Sequence, residues 1–119
     1  LAQAASRENA NDSFEKWRSK LILNAELDQI WQQGIHCPDA LENSEKSRFR
    51  WLIGEFILNQ RVSYLRAVDL DHEDELHRVE RVLRLFLLTP GFQKYWSEIQ
   101  EIVEPEFIAF VEGLIKSRR

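Results

Sequence analysis

Side chains able to hold a metal or move a proton crowd into the stretch from Asp69 to Glu80. An EF-hand calcium loop takes oxygen ligands at its first, third, fifth and twelfth positions, with a glycine at the sixth for a sharp turn. Asp69, Asp71, Glu73 and Glu80 fall on the ligand positions and Leu76 on the apolar eighth, but the sixth is Asp74, and Glu73 is long for its place. An ordinary helix start explains the same letters, because the macrodipole favours acids in the first turn. These four carboxylates are the chain's metal candidates, and the reading expects neither metal nor cofactor to be bound.

The same stretch contains His72, Glu73 and His77, close to the His-Glu-x-x-His pattern of zinc hydrolases but one residue too long. Five helical residues rotate by about 140°, so the two imidazoles do not share a face. A di-iron bundle needs two Glu-x-x-His motifs and two further glutamates, and only Asp74 to His77 approximates half of one. His36 adjoins Cys37, the single cysteine, which can form no internal disulfide and has no second thiol to make a zinc site. The plain alternative is a loop histidine beside a half-buried thiol. Nucleophile-elbow, Walker, dinucleotide and kinase signatures are absent, so no catalytic residue is assigned and the chain is expected not to be an enzyme.

Arg78, Arg81 and Arg84, with His77, form the densest basic run, interrupted by Glu75 and Glu80. The pairs Glu73 to His77, Asp74 to Arg78 and Glu80 to Arg84 have the favourable four-residue order of a solvated, internally paired face. With a formal net charge of −4, the chain lacks the cationic surplus that phosphate binding exploits. Nucleic acid is not expected as a partner.

Apolar residues recur at intervals of three and four, the period of helices. The expectation is all-α: one domain over residues 1–119, a compact bundle of about six helices built around a long central helical hairpin. A first helix is predicted from Ser6 to Leu23, with Ala10, Phe14, Trp17 and Leu21 inward and frayed residues before about 12. Asn24 caps a short helix that turns Leu27, Ile30 and Trp31 inward, with Gly34 as its left-handed stop. Asn43 or Ser44 caps the longest helix, which ends near Val68. One face of it carries Phe49, Leu52, Ile53, Phe56, Ile57 and Tyr64, and a second Trp51, Leu58, Val62 and Leu65. Gly54 weakens that helix, so a neighbour is expected to pass close.

The fourth helix runs to Leu88 with Leu76, Val79, Leu83 and Phe86 inward and Val82, Leu85 and Leu87 widening the stripe. Thr89 and Pro90 open a fifth that bears Phe92, Tyr95, Trp96, Ile99 and Val103. Glu104 and Pro105 repeat that device before the last helix, which ends in Lys116, Arg118 and Arg119. Trp17, Trp31, Trp51 and Trp96 all fall where the periodicity predicts core.

In the order of these signals the chain resembles a family of uncharacterised bacterial proteins with one N-terminal transmembrane helix followed by a small helical domain. The resemblance rests on Asn24 to Gly34 (NAELDQIWQQG), Phe49 to Asp74, Thr89 to Trp96 (TPGFQKYW) and Pro105 to Leu114 (PEFIAFVEGL). Those proteins usually carry serine before each of the two prolines, where this chain has Thr89 and Glu104. The resemblance implies no activity. It implies an upstream membrane helix, which agrees with the lack of any Met in the chain, and a domain on the cytoplasmic side of the inner membrane. Without such a helix the location would be the cytoplasm. The functional expectation is a non-catalytic interaction domain that contacts a protein partner or itself. The alternatives are a metal or small-molecule sensor or enzyme using residues 69–80, and a helical nucleic-acid binder.

Overall fold

The computed structural model describes residues 14–117. Among them there are six α-helices and no strand: α1 (14–23), α2 (Ala25–His36), α3 (Asn43–Asp69), α4 (Glu73–Arg84), α5 (Pro90–Ile99) and α6 (Pro105–Ser117). Single 3-10 turns occupy Pro38–Ala40 and Gln100–Ile102. Ser6, Ala10 and the expected frayed end lie outside the described residues, as do Arg118 and Arg119.

One face of α3 organises the bundle. Phe49, Leu52, Ile53, Phe56, Ile57, Gln60, Ser63 and Ala67 are buried, and their spacing of three and four makes them a single stripe along the helix. Helices α2, α4, α5 and α6 all pack on α3, most extensively α4, so the central hairpin is present. From α1, Trp17 reaches the same stripe, where its Nε1 donates to the Leu52 carbonyl at 3.1 Å. Around it Trp31 meets Trp17 edge-on at 4.9 Å and Phe86 at 5.3 Å, and Phe86 meets Phe56 at 5.3 Å. Such edge-to-face contacts between large rings add to the gain from burying them.

Local chemistry sets most of the helix starts. The Asn24 side-chain oxygen accepts from the N–H groups of Glu26 and Leu27 at 3.1 and 3.2 Å, and Thr89 Oγ1 accepts from Phe92 at 3.3 Å ahead of Pro90. At α3 the residue outside the helix is Glu42, not Asn43 or Ser44. Glu45 folds back to accept the Glu42 N–H at 3.0 Å, a reciprocal arrangement open only to a residue three before a Glu or Gln. Before α6, Glu104 turns its carboxylate to Arg61 on α3, whose Nε donates at 2.8 Å. That contact holds the Glu104 carboxyl below its ordinary range and Arg61 above its own. Glu104 thus ties α3 to the start of α6.

Helix α4 ends at Arg84, short of the expected Leu88. Turns at Leu85–Leu88 let the adjacent residues Phe86 and Leu87 both face the core, whereas a helix would set them about 100° apart. Leu85, expected to widen the buried stripe, is exposed. Val103 is buried beyond the end of α5 rather than on it.

The glycines differ from expectation in an informative way. Gly34 is no left-handed stop: no glycine has positive φ among the described residues, and α2 continues to His36. A Cβ at Gly34 would overlap the Phe49 ring, and one at Gly91 would lie 2.7 Å from Ile35 Cα, so these two residues allow α2, α3 and α5 to meet. Gly54, where a close neighbour was expected, has no atom beyond its own stretch of helix within 4 Å of a built Cβ among the described residues. Urea denaturation should separate the two kinds. Gly91→Ala is expected to cost about 1–3 kcal/mol by overpacking, whereas Gly54→Ala is expected to add about 0.5–1 kcal/mol of helix stability.

Candidate functional site on the outer face of α3

The acidic segment does not form a loop between two helices. Asp69 is the last residue of α3, and Glu73 already opens α4. The turn between them closes through two bonds, from the His72 N–H to the Ala67 carbonyl at 2.9 Å and from the Asp71 N–H to the Val68 carbonyl at 3.3 Å. This is the Schellman pattern, whose left-handed residue is usually Gly. Asp71 occupies that position with φ of 54°. Glu80 lies within α4 and is bonded to Arg84 Nη2 at 2.9 Å. Asp69, Asp71 and Glu73 are exposed. No group of three or more His, Cys, Asp or Glu side chains is placed to hold a metal ion among the described residues.

The basic run is rearranged as well. Arg78 bonds not to Asp74 but to Glu75, its Nε 3.2 Å from each carboxylate oxygen. Glu75 is buried rather than solvated, and the guanidinium lies over the Phe14 ring at 5.9 Å. Arg78 and Arg84 are therefore each committed to a carboxylate, with Arg81 exposed beside them. His36 is the last residue of α2 rather than a loop residue, and Cys37 is exposed, not half-buried.

The largest departure from expectation is Trp51. The second apolar face of α3 was predicted to be core, yet Trp51 is 73 % exposed, and Leu58, Val62 and Leu65 are half-buried. Trp51, Gly54, Glu55 and Leu58, with Arg50, enclose a shallow hollow of about 140 Å³. Gly54 forms its floor. Through Arg50 and Gly54 the hollow runs into a cleft against α5 lined by Tyr95, Ile99 and the 67 % exposed Ile102. Through Trp51 and Glu55 it runs into another towards α1 and α2, lined by Lys20 and Leu27.

Ion pairs tie this strip to the helices on both sides. Lys20 meets Glu55 at 3.0 Å, Arg50 meets Glu98 at 2.6 Å, and Arg48 meets Glu26. Exposed pairs of this kind contribute little stability, but they compensate these charges at the rim of the apolar strip.

A second apolar groove, about 390 Å³, lies between α1, α2 and α4 and is walled by Phe14, Trp17, Leu21, Trp31 and Phe86, with Ile22 and Leu85 at its edge. Inside the bundle, the Gln60 amide and the Ser63 hydroxyl are fully buried and have no hydrogen-bond partner among the described residues. Leaving such groups unpaired costs about 1–3 kcal/mol each. Sequence reasoning passed over both, since a lone Gln or Ser on a helix ordinarily reads as solvated.

No protein family, curated protein or solved structure matches the chain at a significant level. The structure defines a small all-helical domain with no recognisable family, and among the described residues no helix is long and apolar enough to cross a membrane.

If Asp71 serves the turn rather than a cation, Asp71→Gly should remove the left-handed strain and raise stability by up to about 1 kcal/mol. Thermal melts with calcium and with chelator should shift equally. A calcium-dependent rise in the parent chain that the variant loses would instead assign these carboxylates to a metal.

Proposed function

We propose that this chain is a non-catalytic interaction domain that receives a helix along the outer face of α3. The observation that carries this reading is the exposed Trp51 beside the open Gly54. A large aromatic side chain in water beside an uncovered recess is the arrangement found at the centre of interfaces, where Trp is enriched among residues that dominate binding. Scattered exposed apolar residues need no explanation, whereas a contiguous strip with a compensated polar rim marks a binding surface. Incorporating a photo-crosslinking amino acid in cells at the exposed Ser47, one helical turn before Trp51 on the same strip, should give one discrete adduct, and the same group at the exposed Asp74 should give none. Equal labelling at both positions, or none at either, would sink the reading.

The same proposal carries the domain on a bacterial membrane, facing the cytoplasm, through a helix upstream of Leu1. The support is the likeness of four segments to the family of tethered helical proteins. The complete reading frame should encode about 20 consecutive, mainly apolar residues upstream, and a frame lacking such a run removes the tether while leaving the docking face as it stands.

A further inference from the structure

The outer face of α3 presents a projection and a recess within one helical turn of each other. The projection is Trp51, and the recess is the hollow of about 140 Å³ beside it, lined by Arg50, Gly54, Glu55 and Leu58 and by one side of Trp51 itself. In knobs-into-holes packing a side chain from one helix enters a space framed by four residues of the other. Trp51, Gly54, Glu55 and Leu58 frame such a space at spacings of three, four and seven. A helix that fits here must bring a bulky apolar side chain for the recess and a gap to receive Trp51. The face itself has both. A two-fold axis beside Leu52 and Ile53 runs two α3 helices antiparallel and sets each Trp51 over the other copy's Gly54, a self-complementary contact of the isologous kind.

Charge decides between a copy and a charged stranger. Chains of net charge −4 repel one another unless the meeting surfaces are neutral, and like charges set opposite each other are costly. At this face Lys20 neutralises Glu55, Glu98 neutralises Arg50 and Glu26 neutralises Arg48. A strongly basic or acidic partner gains nothing from such a rim, while an identical surface loses nothing. We infer that the partner of the α3 face is a second copy of this chain, with the two α3 helices antiparallel and Trp51 of each copy seated at Gly54 of the other. This rests on the reading of α3 as a docking face.

The test is complementation between two variants of the purified chain, read by sedimentation and by acrylamide quenching. Because Trp17, Trp31 and Trp96 are buried, quenching reports Trp51. The parent chain should dimerise with rising concentration and lose quenchable emission as it does. Trp51→Ala removes the projection. Gly54→Gln fills the recess with a good helix former at a site free of neighbours, so both variants should keep the parent's circular dichroism. Each alone should associate at least roughly thirtyfold more weakly, the loss expected for a central Trp contact. Mixed, they should recover dimers, because the Trp51 of one still meets the Gly54 of the other.

A parent chain that stays monomeric at all concentrations overturns the second-copy inference, as does undiminished dimerisation of either variant or a mixture that fails to associate. The docking reading is judged separately by the adduct at position 47, where Trp51 is kept. An adduct whose added mass is not that of this chain would show a different occupant, and no adduct would remove both.

Discussion

The contact of Phe49 with Gly34 is the constraint on which the bundle depends. A side chain at residue 34 would occupy the space of the Phe49 ring, and one at Gly91 would run into the backbone of the same turn of α2. Three helices therefore meet with almost nothing between two of their backbones, and Phe49 fills the remaining corner against Trp31 and Tyr95 at 5.7 and 5.5 Å. Interiors this dense transmit displacement rather than absorb it. The placement of α2 and α5 on α3 fixes which side of α3 is covered and which is left to the solvent.

From that junction follows the division of α3 into two unlike sides. Every other helix docks on the stripe from Phe49 to Ala67, and among the described residues none covers Trp51 or packs against Gly54. A 27-residue helix with one side fully committed has little freedom to tilt, so the exposed side is presented on a rigid support. Rigid presentation limits the ordering cost of binding, which is what preorganised surfaces gain over loops.

Much of this was legible in the letters. Asn24, Thr89 and Pro90 announce their helices because a cap is a local interaction, and the three-and-four spacing of Phe49, Leu52, Ile53 and Phe56 needs only geometry. What failed was what depends on distant residues. Gly34 and Gly54 look alike in sequence, each a weak point in a helix, yet one is pressed against Phe49 and the other faces open space. The periodicity that places Trp51 on an apolar face says nothing about whether another element arrives to cover it. Gln60 and Ser63 lie on the buried stripe by position, but their residue types do not mark a core and they were passed over. The acidic letters around Asp71 mark a turn and a helix start, but the left-handed position of Asp71 and its closure through the bonds to Ala67 and Val68 depend on backbone geometry that the letters do not carry.

The central place of α3 also bears on how the chain is made. Synthesis runs from the N-terminus, and domains generally begin to fold during it. Trp17 and Trp31, both buried in the finished bundle, leave the ribosome before the stripe that shelters them, and the contact from Trp17 to Leu52 spans 35 residues. Two tryptophan-bearing helices must then wait in water for their support, an interval in which nascent chains are open to chaperones and to one another. The arrival of α3 closes that interval, while the tie between Arg61 and Glu104, which spans 43 residues, has to await the far end of the chain.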